Sequence, residues 1–196
     1  MAIRFTEKER NEIIKALREA AGRRAATVGM RKTTVDELAL EAGISKGAFY
    51  LFYPSKEHLF VDVLEQWYQS ILDKANAALH DGAALPPAQR TARMFKAAWR
   101  AMREQQMIRF CQTELPLLIR KLPETVMRER FQSAQDFIVG LVERAGVRFS
   151  IPKEQVTAAF MILFFSTLTA TEVGFYFDNA LDVLIDGACR EMIRDE

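Results

Sequence analysis

The chain has 196 residues, 49% of them hydrophobic and 27% charged, with a formal net charge of +1. That composition excludes a disordered chain and supplies ample apolar material for a core. Two cysteines, Cys111 and Cys189, stand in no metal-binding spacing, which argues against a zinc module and fits a reducing, cytoplasmic setting.

Charge is divided unevenly: residues 1–56 hold 11 Lys/Arg against 7 Asp/Glu, and the remainder 16 against 19. A basic head on an acidic body suits nucleic-acid binding by the head, although a solvated charged face gives the same asymmetry. Met1 to Arg10 is charged and lacks the apolar stretch of a signal peptide, so no export is expected. The longest charge-free run, Gln155 to Thr171, is interrupted by hydroxyl residues and falls short of the roughly 20 apolar residues of a membrane span. It reads as a buried helix, with no membrane partner.

Periodicity is helical nearly throughout, and the expected fold class is all-α. Thr6-Glu7-Lys8-Glu9 has the form of a capping box and opens a first helix with Ile13, Ile14, Leu17 and Ala21 inward, fraying between Gly22 and Gly29. A second capping box, Thr34 to Glu37, opens a short helix burying Val35, Leu38, Ala39 and Ala42. Gly43 stops it. Ser45 then caps another helix, Lys46 to Tyr53, which Pro54 ends; Ser55 caps a long helix reaching about Leu79. Later helices are expected over Arg90–Gln105, Met107–Lys121 with a break near Pro116, Pro123–Ala145, Pro152–Tyr176 and Asn179–Arg194.

Two short helices joined by a glycine-containing turn, behind a longer one, make a helix-turn-helix whose second helix fits the DNA major groove. Lys46 supplies charge there, Gly47 allows close backbone approach, and Tyr50 offers a hydroxyl one turn on. Lys56 and the N–H groups at its helix start suit phosphate. The plainer reading, a small aromatic core, is accepted for Phe49 and stays open for Tyr50.

The run Thr33-Thr34-Val35, then Ala42-Gly43-Ile44-Ser45-Lys46-Gly47-Ala48-Phe49-Tyr50-Leu51-Phe52-Tyr53-Pro54-Ser55-Lys56-Glu57-His58-Leu59-Phe60, resembles the DNA-binding head of the tetracycline-repressor family, over residues 8 to 60. The resemblance implies a head over 1–54 and, through the long fourth helix, a ligand-binding and dimerisation bundle over 55–196. It places Thr34, Ser45, Lys46, Gly47, Ala48, Tyr50, Leu51, Phe52, Tyr53 and Lys56 at the DNA. One departure concerns position 52, where the family usually has Tyr or His, with Phe at 53; here the rings are exchanged. Phe52 is then expected on a sugar or thymine methyl, with the Tyr53 hydroxyl satisfied near the fourth helix.

Beyond residue 80 no motif stands out. A mostly hydrophobic or aromatic effector is expected in a cavity lined by Trp99, Met102, Phe110, Phe137 and Phe164, oriented by Gln112 or Glu114, although such aromatics serve equally as plain core and Glu114 as a turn cap. The last two helices are expected to form a homodimer through Phe165, Leu181, Leu184, Ile185, Ala188 and Met192.

His58 and His80, both near helix ends, form no ligand set, and no nucleophile elbow or phosphate loop occurs, so neither metal, cofactor nor catalysis is expected. The function expected is a repressor that binds a near-palindromic double-stranded operator and leaves it on binding its effector. The alternatives are a DNA-binding regulator under protein or redox control, for example at Cys111, and a helical enzyme or carrier with an idle head.

Overall fold

A computed structural model describes residues 5–130 and 134–194. Phe131, within the helix expected over Pro123–Ala145, lies outside them. The protein is all-α, with α1 (Glu7–Thr27), α2 (Val35–Glu41), α3 (Lys46–Phe49), α4 (Lys56–Asp81), α5 (Pro87–Glu104), α6 (Met107–Thr113), α7 (Leu115–Lys121), α8 (Glu124–Arg130), α9 (Ala134–Ala145), α10 (Lys153–Ser166), α11 (Ala170–Val173) and α12 (Phe177–Met192). Among the described residues there is no strand, only an isolated bridge between Phe149 and Ile193. No single helix among them is long and apolar enough to cross a membrane.

Of the described residues, 5–67 and 105–130 form one compact unit, and 68–104 and 134–194 the other. Residues 105–130 thus pack with the head, although the chain reaches them only after α5. The single helix α4 contributes its first part to one unit and its remainder to the other.

In the first unit both capping boxes form. Thr6 and Thr34 each accept from the backbone N–H three residues on, while Glu9 and Glu37 reach back to the cap N–H at 2.8 Å. The first helix does not fray at Gly22 but runs to Thr27. Its buried residues are Leu17, Ala20, Ala21 and Ala25, while Ile13 and Ile14 are half-buried. Arg24 binds Glu41 at 2.6 Å and Glu37 at 3.0 Å, tying α1 to α2. Phe60 of α4 stacks on Phe110 of α6, whose ring also meets Trp67 edge-on.

In the second unit α12 packs on α5 and α10 on α9. Phe95 of α5 stacks on Phe160 of α10 with ring centroids 3.6 Å apart. The helix expected over Pro152–Tyr176 is interrupted twice. Ser166, Thr167 and Thr169 turn their hydroxyls onto carbonyls three residues back, drawing Thr167–Thr169 into a 3-10 turn, and Gly174 adopts a left-handed φ of +75°.

Candidate DNA-binding surface and effector cleft

The turn between α2 and α3 is built on Gly43, whose φ of +71° suits glycine, with its N–H bonded to Leu40 O and that of Ile44 to Ala39 O. Ser45 then caps α3, accepting from the Ala48 N–H at 3.2 Å. The recognition helix is shorter than expected, Lys46–Phe49, and continues as turns because Leu51 and Phe52 bond to carbonyls three residues back. Phe49, fully buried, anchors it. Ser45, Lys46, Gly47, Tyr50 and Leu51 are exposed together, and Thr34 stands exposed at the head of α2. Lys46 Nζ reaches Asp36 at 2.7 Å, a surface pair that raises the lysine's pKa through that bond and that water screens.

Four residues expected at the DNA sit elsewhere. Ala48 is buried as packing for the turn. Phe52 is half-buried under the Phe5 ring, with the Arg10 guanidinium 5.0 Å from its centroid, so its face is taken by the protein itself. Tyr53 is buried, and its hydroxyl donates to Asp62 of α4, which also receives a bidentate pair of 2.8 Å bonds from Arg18 of α1. The exchange of rings at 52 and 53 thus moves the phenol into an internal network.

Lys56 is the fourth. Its ammonium donates to the carbonyls of Met30, Arg31 and Thr33, at 2.9, 3.4 and 2.5 Å, and burial lowers its pKa. All three N–H bonds are thereby spent on the loop before Thr34. Sequence reasoning passed over Arg31 and Lys32, exposed cations just ahead of that cap and without an ionic partner among the described residues. A basic pair directly before a capping box was the available signal. We expect Lys56→Ala to cost about 1–3 kcal/mol in urea unfolding while leaving the salt slope of DNA binding unchanged. Lys32→Ala should lower that slope by about one unit without loss of stability.

The Tyr53 phenol is held well above its ordinary value, by burial first and by the bonded Asp62 second. A pKa raised in the folded state gives stability that is complete below the unfolded value of about 10 and fades as pH rises past it. Denaturation midpoints should therefore fall more steeply above pH ~10 for the natural chain than for Tyr53→Phe.

Glu114, at the junction of α6 and α7, is also placed differently from expectation. Its carboxylate accepts from the Arg31 N–H at 3.3 Å, and a Cβ at Gly29, where φ is +84°, would stand 2.5 Å from its Oε1. Glu114 belongs to the head's unit together with exposed Gln112 and buried Phe110, so none of the three lines the bundle cavity.

Trp99, Met102, Phe137 and Phe164 do converge in the second unit, joined by Phe95 and Phe160. Their apolar cleft encloses about 20 Å³, room for one water and far below the few hundred Å³ of a drug-sized ligand site. Trp99 buries its indole N–H with no hydrogen-bond acceptor among the described residues. Burial pushes the Cys111 thiol up to about 11 and Cys189 to about 12, so neither is a reactive thiolate near neutrality.

The expected dimer stripe divides. Leu181, Ile185 and Met192 are buried within their own unit, because one face of α12 packs on α5 and α10. Leu184 and half-buried Ala188 lie on the other face with exposed Val183, and α10 presents exposed Ile162 and Phe165. No group of His, Cys, Asp and Glu suited to a metal occurs among the described residues.

Residues 17–63 match the family described as bacterial regulatory proteins, tetR family. The uncharacterized HTH-type transcriptional regulator YerO of Bacillus subtilis (strain 168) is 42% identical over 62 residues, 32% of this chain and 22% of that protein. A second from the same organism, YuxN, is 44% identical over 54 residues, 28% of this chain and 19% of its own length. The chain thus spans only about a fifth of these curated relatives. A solved TetR family transcription regulator from Marinobacter aquaeolei VT8 shares the fold across 97% of this chain and 100% of its own, with a TM-score of 0.62 at 17% identity.

Proposed function

We propose, from the match of its helix-turn-helix head to the tetR family of bacterial regulatory proteins, that the chain is a transcriptional repressor of that kind, which binds a near-palindromic operator as a homodimer and leaves it on binding a small, mostly hydrophobic molecule. The observation that carries the DNA-binding half is the recognition helix itself. Phe49 pins it from below while Lys46, Gly47, Tyr50 and Leu51 stand exposed above, with Arg31 and Lys32 free for flanking phosphates.

One helix-turn-helix makes too few contacts for useful specificity, and two half-sites about one helical turn apart remedy this by symmetry. The apolar face of Ile162, Phe165, Val183 and Leu184 supports pairing through α10 and α12. The aromatic cleft supports the effector. Its unsatisfied Trp99 donor suits an apolar ligand bearing one acceptor atom, and its small volume means that the ligand enters by displacing side chains. Such a ligand acts by preferring one state of the body over the other, and α4, continuous from Lys56 to Asp81, is the element through which we propose that preference reaches the head.

The test is titration of purified protein against operator and random DNA. Tyr50→Ala and Lys46→Ala are expected to weaken operator binding about 5- to 150-fold while leaving binding to random DNA within a small factor. Equal losses on both DNAs would overturn the assignment of these side chains to base reading. Induction is tested by calorimetric titration of effector into free and operator-bound protein: linkage requires operator to weaken effector binding by the factor by which effector weakens operator binding.

A further inference from the structure

In the second unit a row of ion pairs crosses from α5 to α12. Arg103 meets Asp178, Arg100 meets Asp182 at 2.7 Å, and Lys96 meets Asp186 at 2.6 Å. Each rung steps back three or four residues along α5 and forward four along α12, one helical turn on antiparallel helices. One more step sets Arg93 opposite Arg190. Where the pattern calls for a carboxylate, a second guanidinium stands. Both arginines are exposed, and neither has an ionic partner among the described residues.

Both also line an open groove of about 710 Å³ with Lys96, Arg100 and Asp186, four cations against one carboxylate. The groove exists because α5 presents Ala88 and Ala92 on this side, too small to fill the space between the helices.

We propose that this groove binds a small oxyanion-bearing molecule, its anionic group held between the Arg93 and Arg190 guanidiniums. Two like charges facing each other across a helix pair repel, and a multivalent oxyanion between them turns that repulsion into two attractions. The guanidinium fork matches two oxygens of a phosphate or carboxylate at once, which a point-charge ammonium does not. The volume lies within the range of small-molecule sites. The groove is separate from the aromatic cleft, and the proposal does not rest on the DNA-binding reading.

The experiment uses pyrophosphate and citrate as probes, each compared with sodium chloride at matched ionic strength. They are titrated calorimetrically into the full chain, into Arg93→Gln combined with Arg190→Gln, and into Arg93→Glu. The natural chain is expected to bind at least one probe at one site per chain, and a preference between them reads whether phosphate or carboxylate is favoured. The double variant should bind at least about tenfold more weakly. Arg93→Glu restores the opposite-charge rung, so it should lose the site and melt no lower than the natural chain without any anion. Phosphate binding by the head would persist unchanged in all three proteins. Equal binding of both probes by all three, or no binding by the natural chain beyond chloride, would overturn the proposal.

Discussion

Asp62→Ala is expected to cost the head about 3 kcal/mol of stability. The Asp62 carboxylate, with 6% of its side chain exposed, holds both nitrogens of the Arg18 fork and takes the proton of buried Tyr53. Removing one partner of a buried pair commonly costs about 3–5 kcal/mol, because the other is left charged and poorly solvated. Arg18 keeps a third of its side chain in water, which recovers part of its loss and sets the lower end of that range. The orphaned Tyr53 hydroxyl accounts for about 1–3 kcal/mol of that total. Urea unfolding followed by circular dichroism measures the sum, and Asp62→Asn should lose less because an amide oxygen still accepts from Tyr53. A loss under about 1 kcal/mol would show that the triad is solvated in solution.

Leu184→Asp is expected to split the proposed homodimer and, with it, to lower operator affinity by two orders of magnitude or more, because each half-site is then bound alone. Leu184 is 55% exposed in the single chain, so charge there costs the chain's own fold little. Across an isologous contact the same residue meets the partner's apolar face twice, and two carboxylates are forced into it. Light scattering at micromolar concentration should give the monomer mass for the variant and twice that for the natural chain, with unchanged melting below the dissociation range. Ile185→Asp is the contrasting control: Ile185 is 2% exposed, so its variant should unfold rather than dissociate. A natural chain that scatters as a monomer would reject the proposed assembly.

The head was legible because its signals are local. Thr6 to Glu9, Thr34 to Glu37 and the run Gly43 to Ser45 each close within four residues, and each forms as read. What the sequence concealed depends on partners far away in the chain. Lys56 finds carbonyls 23 to 26 residues back, and Glu114 finds the Arg31 N–H 83 residues back. Periodicity says nothing of such pairings, and a lysine at a helix start reads as a phosphate ligand until the loop it holds is seen. The α12 stripe was misjudged for a related reason. Leu181, Leu184, Ile185, Ala188 and Met192 fall within one broad apolar arc, and only the packing of α5 and α10 decides which edge of the arc is covered. Phe110 shares its apolar character with the cleft residues, but the break at Glu114 and the stacking on Phe60 put it in the other unit.

The recognition helix is a single turn of four residues. Helix nucleation fixes several dihedral angles for one hydrogen bond, so a segment this short has no stability of its own in water. Its order is lent by Phe49 and by the Ser45 cap. In amide hydrogen exchange the Ala48 and Phe49 protons should therefore open together with the core beneath them, in one cooperative step rather than by fraying from an end. The surface proposed to read DNA would then be as rigid, and as slow to come apart, as the head's own interior.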